Sequence, residues 1–253
     1  MTRILILATL VFSGCKDQSS KTPPDMDAQG AAAIEEKAQT NDWITLFDGT
    51  SMDSWKGYGM EGVPDQWKIE EGAMVFYPPE NKPEGANYNL VTHQEFTNFV
   101  LSLEWKISEG GNSGIFWGVR EDPKYGEPYQ TGPEIQVLDN ERHSDAKNGT
   151  SHQAGALYDM VSPSRDVTKP AGEWNRCEIT VDYQKGEGMV VMNGEEIVRF
   201  PLGDDSWDAM VAESKFAGWE GFGVFHTGKI GLQDHGDVVA YRSIRIKPSL
   251  YER

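Results

Sequence analysis

Polar residues that could do chemistry are concentrated in four short segments of the chain: 110–117, 133–139, 155–158 and 232–236. In the second segment, Glu134 and Gln136 alternate with two β-branched residues. On a strand, such alternation points the polar pair to one face of the sheet and the apolar pair to the other. The pattern predicts either the floor of a polar groove or a solvated sheet surface.

His235 is the most suggestive of the five histidines. It lies between Asp234 and Gly236 and has the same strand parity as Gln233. Because an imidazole titrates near neutrality, His235 suits a general acid or base. An Asp-His-Gly turn can also be a loop held by local hydrogen bonds, and His152 is a weaker candidate.

A carboxylate pair for conventional glycoside hydrolysis would have to be Glu134 and Asp139. These residues are five positions apart, so they point to opposite faces of a strand unless a bulge intervenes. The alternate positions after Glu134 carry Gln136 and Leu138 instead of acids. The segment therefore disfavours a retaining acid and nucleophile pair without excluding one.

The elements that must position these residues are short alternating strands bounded by turn residues. In Phe99–Ile107 and again in 175–183, apolar or small residues occupy every second position. Asn193-Gly194 separates two further strands and favours a type I′ hairpin turn. One short helix is predicted around Trp207, Met210 and Val211, capped by Asp205 or Ser206. An all-β sandwich or barrel with one peripheral helix follows.

The start of the chain predicts export. Arg3 precedes a short apolar run, and small residues precede Cys15, an order that resembles a bacterial lipoprotein signal. We therefore expect a signal peptide at 1–14, a lipidated Cys15 with a flexible tether at 15–41, and a β-sandwich domain at 42–253. The protein would be lipid-anchored in the cell envelope, in the periplasm or at the outer membrane. Acylation of Cys15 precludes a disulfide, so Cys177 is expected to be a buried small hydrophobe.

The net charge of the chain excludes some classes of binding partner. The chain carries a net charge of −17, which repels nucleic acid and anionic headgroups. Membrane contact is therefore expected only through the lipid anchor, whereas neutral sugars and cations remain plausible ligands. No Cys/His cluster has the spacing of a zinc site, so no cofactor is predicted. Scattered carboxylates and amides could hold a divalent metal ion.

Several segments, taken in order, resemble the 3-keto-disaccharide hydrolase family. The resemblance extends from Trp43 to Ile246. It is carried by 46–50 followed by Trp55, Trp67 before 71–72, 104–105, 110–115, 134–139, 172–175, 193–194 and 231–236. It implies a concanavalin A-like jelly-roll β-sandwich.

The resemblance also implies an activity on 3-keto-glycosides and 3-keto-disaccharides. A ketone at C3 acidifies the hydrogen on C2, so a base can remove that hydrogen and the group on C1 can leave by elimination. Water then adds across the new double bond. No carboxylate pair is needed around C1.

Roles follow from this mechanism as hypotheses. His235 or Glu134 would take the C2 proton and the other would assist the leaving oxygen, with Asp139 as a further catalytic candidate. The candidates for substrate binding are Asn112, Gln136, Glu104, Arg120, Tyr158, Trp117 and Asp234. Trp117 would stack on the sugar if it points outward.

Three other functions are compatible with the sequence. A carbohydrate-binding module or lectin on the same fold would bind sugar without chemistry. A conventional glycoside hydrolase would use Glu134 and Asp139. A purely structural envelope protein agrees least with the recurrence of polar residues in neighbouring segments.

Overall fold

The computed structural model describes residues 42–249. In chain order its strands are β1 Ile44–Phe47, β2 Trp55–Gly57, β3 Trp67–Glu70, β4 Ala73–Phe76, β5 Leu90–Phe96, β6 Phe99–Ile107, β7 Asn112–Val119, β8 Glu134–Leu138, β9 Asn175–Asp182, β10 Glu187–Met192, β11 Glu195–Pro201, β12 Gly228–Leu232 and β13 Val239–Pro248. Helix α1 spans Asp205–Ala212. Short 3-10 helices span Pro128–Gln130, Ser144–Asn148 and Thr150–His152.

The strands form two antiparallel sheets. The larger sheet has the order β11-β10-β9-β6-β13-β4-β3, with β1 also paired to β13, and the smaller has the order β2-β5-β12-β7-β8. Leu101 and Leu103 of the large sheet belong to the same buried cluster as Ile115, Ile135 and Val137 of the small one. The prediction of an all-β sandwich is confirmed, and burial of this apolar layer is its main stabilising contribution.

The predicted strand patterns are confirmed in detail. Every odd-numbered residue of β6 is buried, and the buried positions of β9 alternate in the same way up to Val181. At the β10–β11 hairpin, Asn193 and Gly194 have φ angles of 52° and 90°, as a type I′ turn requires. Cys177 on β9 is fully buried, and this burial raises the pKa of its thiol to about 12, so the thiol is inert.

The predicted helix is present, but its cap differs. Asp204, and neither Asp205 nor Ser206, is the N-cap, because its carboxylate accepts hydrogen bonds from the amides of Ser206 and Trp207. Trp207 is buried against the sandwich. The cap lies one residue earlier because Asp204 has the extended backbone that a cap needs.

The predictions for the signal peptide, for Cys15 and for the tether to residue 41 lie outside the described residues. Within 42–249, no helix has both the length and the apolar content needed to cross a membrane.

Candidate functional site

A pocket of about 190 Å³ lies on the outer face of the small sheet. Its floor comes from β7, from β8 and from the residues directly after β12, and its walls come from loops. It is lined by Asn112, Tyr129, Glu134, Gln136, Tyr158, Lys215, Phe216, Trp219, Gln233 and His235. Five of the predicted site residues, drawn from four separate segments, therefore meet in one place.

Strand parity and register form this floor. Ile135 and Val137 of β8 are fully buried in the core, whereas Glu134 and Gln136 face the pocket. Gln136 pairs with Gly114 of β7 in the antiparallel ladder. A Cβ atom on Gly114 would overlap Glu134 Oε1. The missing side chain of Gly114 is therefore what makes room for the carboxylate of Glu134.

Glu134 has the electrostatics of a proton acceptor. The residue is only 7 % exposed, and no side chain or amide of the described residues hydrogen-bonds its carboxylate. Burial raises its pKa to about 8, although the charge of Lys215 opposes the rise. A carboxylate with this pKa is a far stronger base than an ordinary glutamate and is still partly ionised near neutral pH.

His235 occupies the other end of the floor. Its Nε2 lies 3.4 Å from Nδ2 of Asn112, and the ring of His143 meets it edge-on at 6.0 Å between centroids. The surrounding protein desolvates the ring and so lowers the pKa of His235, although the charge of nearby Asp237 opposes this. The imidazole is therefore mainly neutral at pH 7.

Tyr158 forms one wall and is held by a network. Its hydroxyl donates to Asp145 Oδ2 at 2.8 Å. His152 places its two ring nitrogens 3.0 Å from Asp145 Oδ1 and 3.1 Å from Asp159 Oδ1. Nζ of Lys215 lies 3.9 Å from the centroid of the Tyr158 ring. His152, a weaker candidate from the sequence, thus braces the wall and does not line the pocket.

The other wall was missed by sequence reasoning. It consists of Tyr129 and of a loop after α1 that brings Lys215, Phe216 and Trp219 to the pocket. Tyr129 and Trp219 are each 38 % exposed, and their ring centroids lie 6.1 Å apart. The aromatic composition of the loop was a signal, but no sequence pattern indicates that the loop lies over β8.

Two predicted acidic site residues have structural roles instead. Asp139 accepts hydrogen bonds from the amides of Gly110 and Glu141 and from Arg142. Although burial opposes the effect, these bonds hold the pKa of Asp139 below its usual range. Asp234 is bound by Nζ of Lys82 at 2.6 Å. Neither carboxylate lines the pocket, so the predictions of Asp139 as a catalytic residue and of Asp234 as a substrate-binding residue have to be corrected.

Three further substrate-binding predictions also need correction, because these residues lie away from the pocket. Glu104 projects from the large sheet and accepts a hydrogen bond from Arg242 at 2.7 Å. Arg120 pairs with Glu95 on the surface. Trp117 has the parity of the core face and stacks on Phe200 inside the sandwich, so it cannot stack on a sugar.

Among residues 42–249, one group of side chains could hold a metal ion. Ligand atoms of His143, His235 and Asp237 lie within 4.8 Å of one another. Two of these groups already accept backbone hydrogen bonds, since Nδ1 of His143 accepts from Asp145 and Asp237 accepts from Asn112. A divalent metal ion remains a prediction.

The two packed antiparallel sheets, with the pocket on the outer face of the smaller one, define a jelly-roll β-sandwich of the concanavalin-like class. A Bacillus subtilis protein with a galectin-like fold shares this architecture, with a TM-score of 0.50 over 83% of this chain and 91% of that chain at 13% sequence identity.

Residues 42–247 match the family model of the 3-keto-alpha-glucoside-1,2-lyase-like domain, and the chain belongs to this family. It is 40% identical over 227 residues to a protein named 3-keto-disaccharide hydrolase from Bacteroides thetaiotaomicron, covering 81% of this chain and 78% of that protein. A crystal structure from Parabacteroides distasonis aligns with a TM-score of 0.74 at 29% identity, covering 86% of this chain and 98% of that one.

Proposed function

We propose that this protein cleaves glycosides whose sugar carries a ketone at C3, by elimination across C1 and C2 followed by addition of water. The observation that carries the proposal is the unpaired, buried carboxylate of Glu134 in the pocket, with its pKa raised to about 8. Membership of the 3-keto-alpha-glucoside-1,2-lyase-like family supports the same chemistry.

Glu134 is the general base in this mechanism. It removes the proton from C2, and the electron pair of that C–H bond delocalises onto the ketone oxygen as an enolate. The enolate collapses to form the C1=C2 double bond, and the bond from C1 to the leaving oxygen breaks. Water then adds its oxygen to C1 and a proton to C2. The net reaction is hydrolysis, and no second carboxylate is required.

Two other groups complete the assignment. Lys215 lines the pocket and its charge acts on the base, so we assign it to stabilising the enolate oxygen. We assign His235 to supplying the proton that the leaving oxygen needs. Only the minority of molecules with a protonated ring can do so near pH 7, and the lowered pKa makes that protonated form a stronger acid. Gln136 lines the floor, but its amide bonds to the carbonyl of His152 and the amide of Val137, so we assign it to holding the floor together.

The direct test compares matched substrates. Purified protein should cleave a 3-keto disaccharide and leave the same disaccharide intact when C3 carries a hydroxyl, because only the ketone acidifies C2–H. Binding of the unoxidised sugar without turnover of the keto sugar would favour a carbohydrate-binding module. Turnover of an ordinary aryl glycoside would favour a conventional hydrolase.

Gly114→Ala should lower kcat/KM by at least about 30-fold, because the added methyl would overlap Glu134 Oε1 and displace the base. Steady-state kinetics on the 3-keto disaccharide measure this. Gly62→Ala is the matched control, since a Cβ at Gly62 meets no atom within 4 Å. A folded Gly114→Ala protein with wild-type kinetics would contradict the assignment.

Trp219→Ala should raise KM about 10-fold and change kcat by less than about 3-fold, because a rim aromatic binds the sugar face and does not touch the reacting atoms. Trp43→Ala is the control, since Trp43 is equally exposed at 38 % and lies against Arg245. Equal KM values for the two variants would remove Trp219 from the binding site.

We also propose, on the sequence alone, that the protein is exported and lipid-anchored at Cys15. Cys15→Ser should then move the protein from the membrane fraction to the soluble fraction of the producing bacterium. Unchanged sedimentation would argue against the anchor.

A further inference from the structure

Two buried amide oxygens line the pocket without a hydrogen-bond partner. Oδ1 of Asn112 and Oε1 of Gln233 make no hydrogen bond, although the two residues are only 4% and 9% exposed. A buried acceptor without a partner has lost its hydrogen bonds to water and gained none in return, so such atoms are rare and call for a reason. Here the reason is their position, since both residues line the pocket.

The sheet register places these residues on the same floor as the base. Leu232 pairs with Ile115, and the amide of Gln233 continues the ladder by donating to the carbonyl of Gly114 at 2.9 Å. Gln233 is therefore one strand away from Gly114, the residue over which the carboxylate of Glu134 lies. Asn112 is two residues from Gly114 along β7, so it has the same parity.

The other amide of the floor behaves differently. Gln136 has both ends of its amide engaged, since Nε2 bonds to the carbonyl of His152 and Oε1 accepts from Val137. The unpaired oxygens are therefore not a general property of this sheet face. They belong to the two amides on the β12 side of Glu134, and each offers an acceptor and no charge.

Hydroxyl groups are the donors that such acceptors fit. A cation would prefer the neighbouring carboxylates, whereas an anionic substituent would be repelled by the lone pairs of these two oxygens. We propose that Gln233 Oε1 and Asn112 Oδ1 accept hydrogen bonds from two hydroxyls of the keto-sugar ring, and so select neutral sugars with both hydroxyls free. The inference rests on the proposed function for the identity of the sugar. Gln233 is then a specificity-determining residue.

A site built to hydrogen-bond a hydroxyl discriminates strongly against an analogue that lacks it, because the protein acceptor then stays unpaired. The test uses the 3-keto glucoside and its 2-, 4- and 6-deoxy analogues with wild-type protein, Gln233→Met and Asn112→Leu. For the wild type, we expect two of the analogues to lose at least about 10-fold in kcat/KM. In each variant, one of these two losses should shrink to less than about 3-fold.

Gln136→Met is the matched control, because its amide serves the protein, and its deoxy losses should equal those of the wild type. If neither Gln233→Met nor Asn112→Leu changes any deoxy ratio, the inference is overturned. Dissociation constants for the same sugars, measured by titration calorimetry, test the inference about hydroxyl binding separately from the proposed reaction.

A Gln233-dependent deoxy ratio in binding, without turnover, would support the inference and overturn the proposed reaction. Turnover with unchanged ratios would do the reverse. Absence of binding to every one of these sugars would overturn the inference as well.

Discussion

Glu134→Gln should lower kcat/KM for a 3-keto disaccharide by at least about 10³-fold, because it removes the base that takes the C2 proton and leaves the shape of the pocket unchanged. The loss should fall on kcat, with KM altered less than about 5-fold, since the carboxylate acts on the reacting C–H bond. Stopped assays of reducing-sugar release over a range of substrate concentrations would separate the two constants.

Glu104→Gln is the matched control for this experiment. It makes the same chemical change in a glutamate that lies on the outer face of the other sheet, paired with Arg242. Its kinetics should stay within about 2-fold of the wild type. Comparable losses in both variants would show that Glu134 has no special role, and a loss confined to KM would assign it to binding.

The second large effect concerns stability, and it has the opposite sign to the effect on activity. The pKa of Glu134 is raised from 4.5 to about 8 in the folded protein. Between these values the folded state binds the proton and the unfolded state does not, so the free energy of unfolding falls as the pH rises from about 4.5 to about 8. Ionising the buried carboxylate thus destabilises the fold, by an amount on the order of 5 kcal/mol.

Glu134→Gln should therefore be more stable than the wild type at pH 9 by roughly this amount, and nearly equal to it below pH 4.5. Urea denaturation of both proteins at several pH values measures the difference between their free energies of unfolding. The other titrating groups contribute equally to both proteins, so their effects cancel in this difference. Parallel stability curves would mean that Glu134 keeps an ordinary pKa when folded. A catalytic residue that lowers stability is the usual cost of a preorganised site.

The sandwich was predictable because the alternation of apolar and polar residues along its strands shows which face of each strand is buried. Two signals are local: the alternation in β6 and β9, and the Asn193-Gly194 turn. Each involves only a few consecutive residues, so it can be recognised without knowing which strands pair. The same parity rule placed Glu134 and Gln136 on the outer face of β8. The helix cap was wrong by one residue, because three polar residues in a row can each serve as a cap.

Only the pocket residues that lie on strands were predictable, because strand parity shows which face of the sheet they occupy. Trp117 is predicted to stack on the sugar only if it points outward, but it has the same strand parity as Ile115 in the core, and the strand rule therefore buries it. Asp139 and Asp234 have the chemistry of site residues, but their carboxylates are hydrogen-bonded by nearby amides, a lysine and an arginine. Which polar group keeps a free lone pair depends on three-dimensional partners that the sequence does not contain.

The pocket residues that come from distant loops were the hardest to predict from the sequence. Lys215 and Trp219 follow α1 in the sequence, in a loop that runs back to the pocket. This loop has no periodic sequence pattern from which its path could be predicted. The role of Gly114 also depends on a neighbouring strand, since only the register with β8 shows that its missing Cβ accommodates Glu134. Such pairings are long-range, and local patterns carry no information about them.

The central claim, removal of the C2 proton before the glycosidic bond breaks, can be tested with a 3-keto disaccharide deuterated at C2. In ordinary water, elimination predicts slower turnover than for the undeuterated substrate and loss of deuterium from the released keto sugar, beyond the loss seen with Glu134→Gln protein. Direct displacement at C1 leaves the C2–deuterium bond intact. Cleavage at an unchanged rate, with deuterium fully retained at C2, would contradict the account.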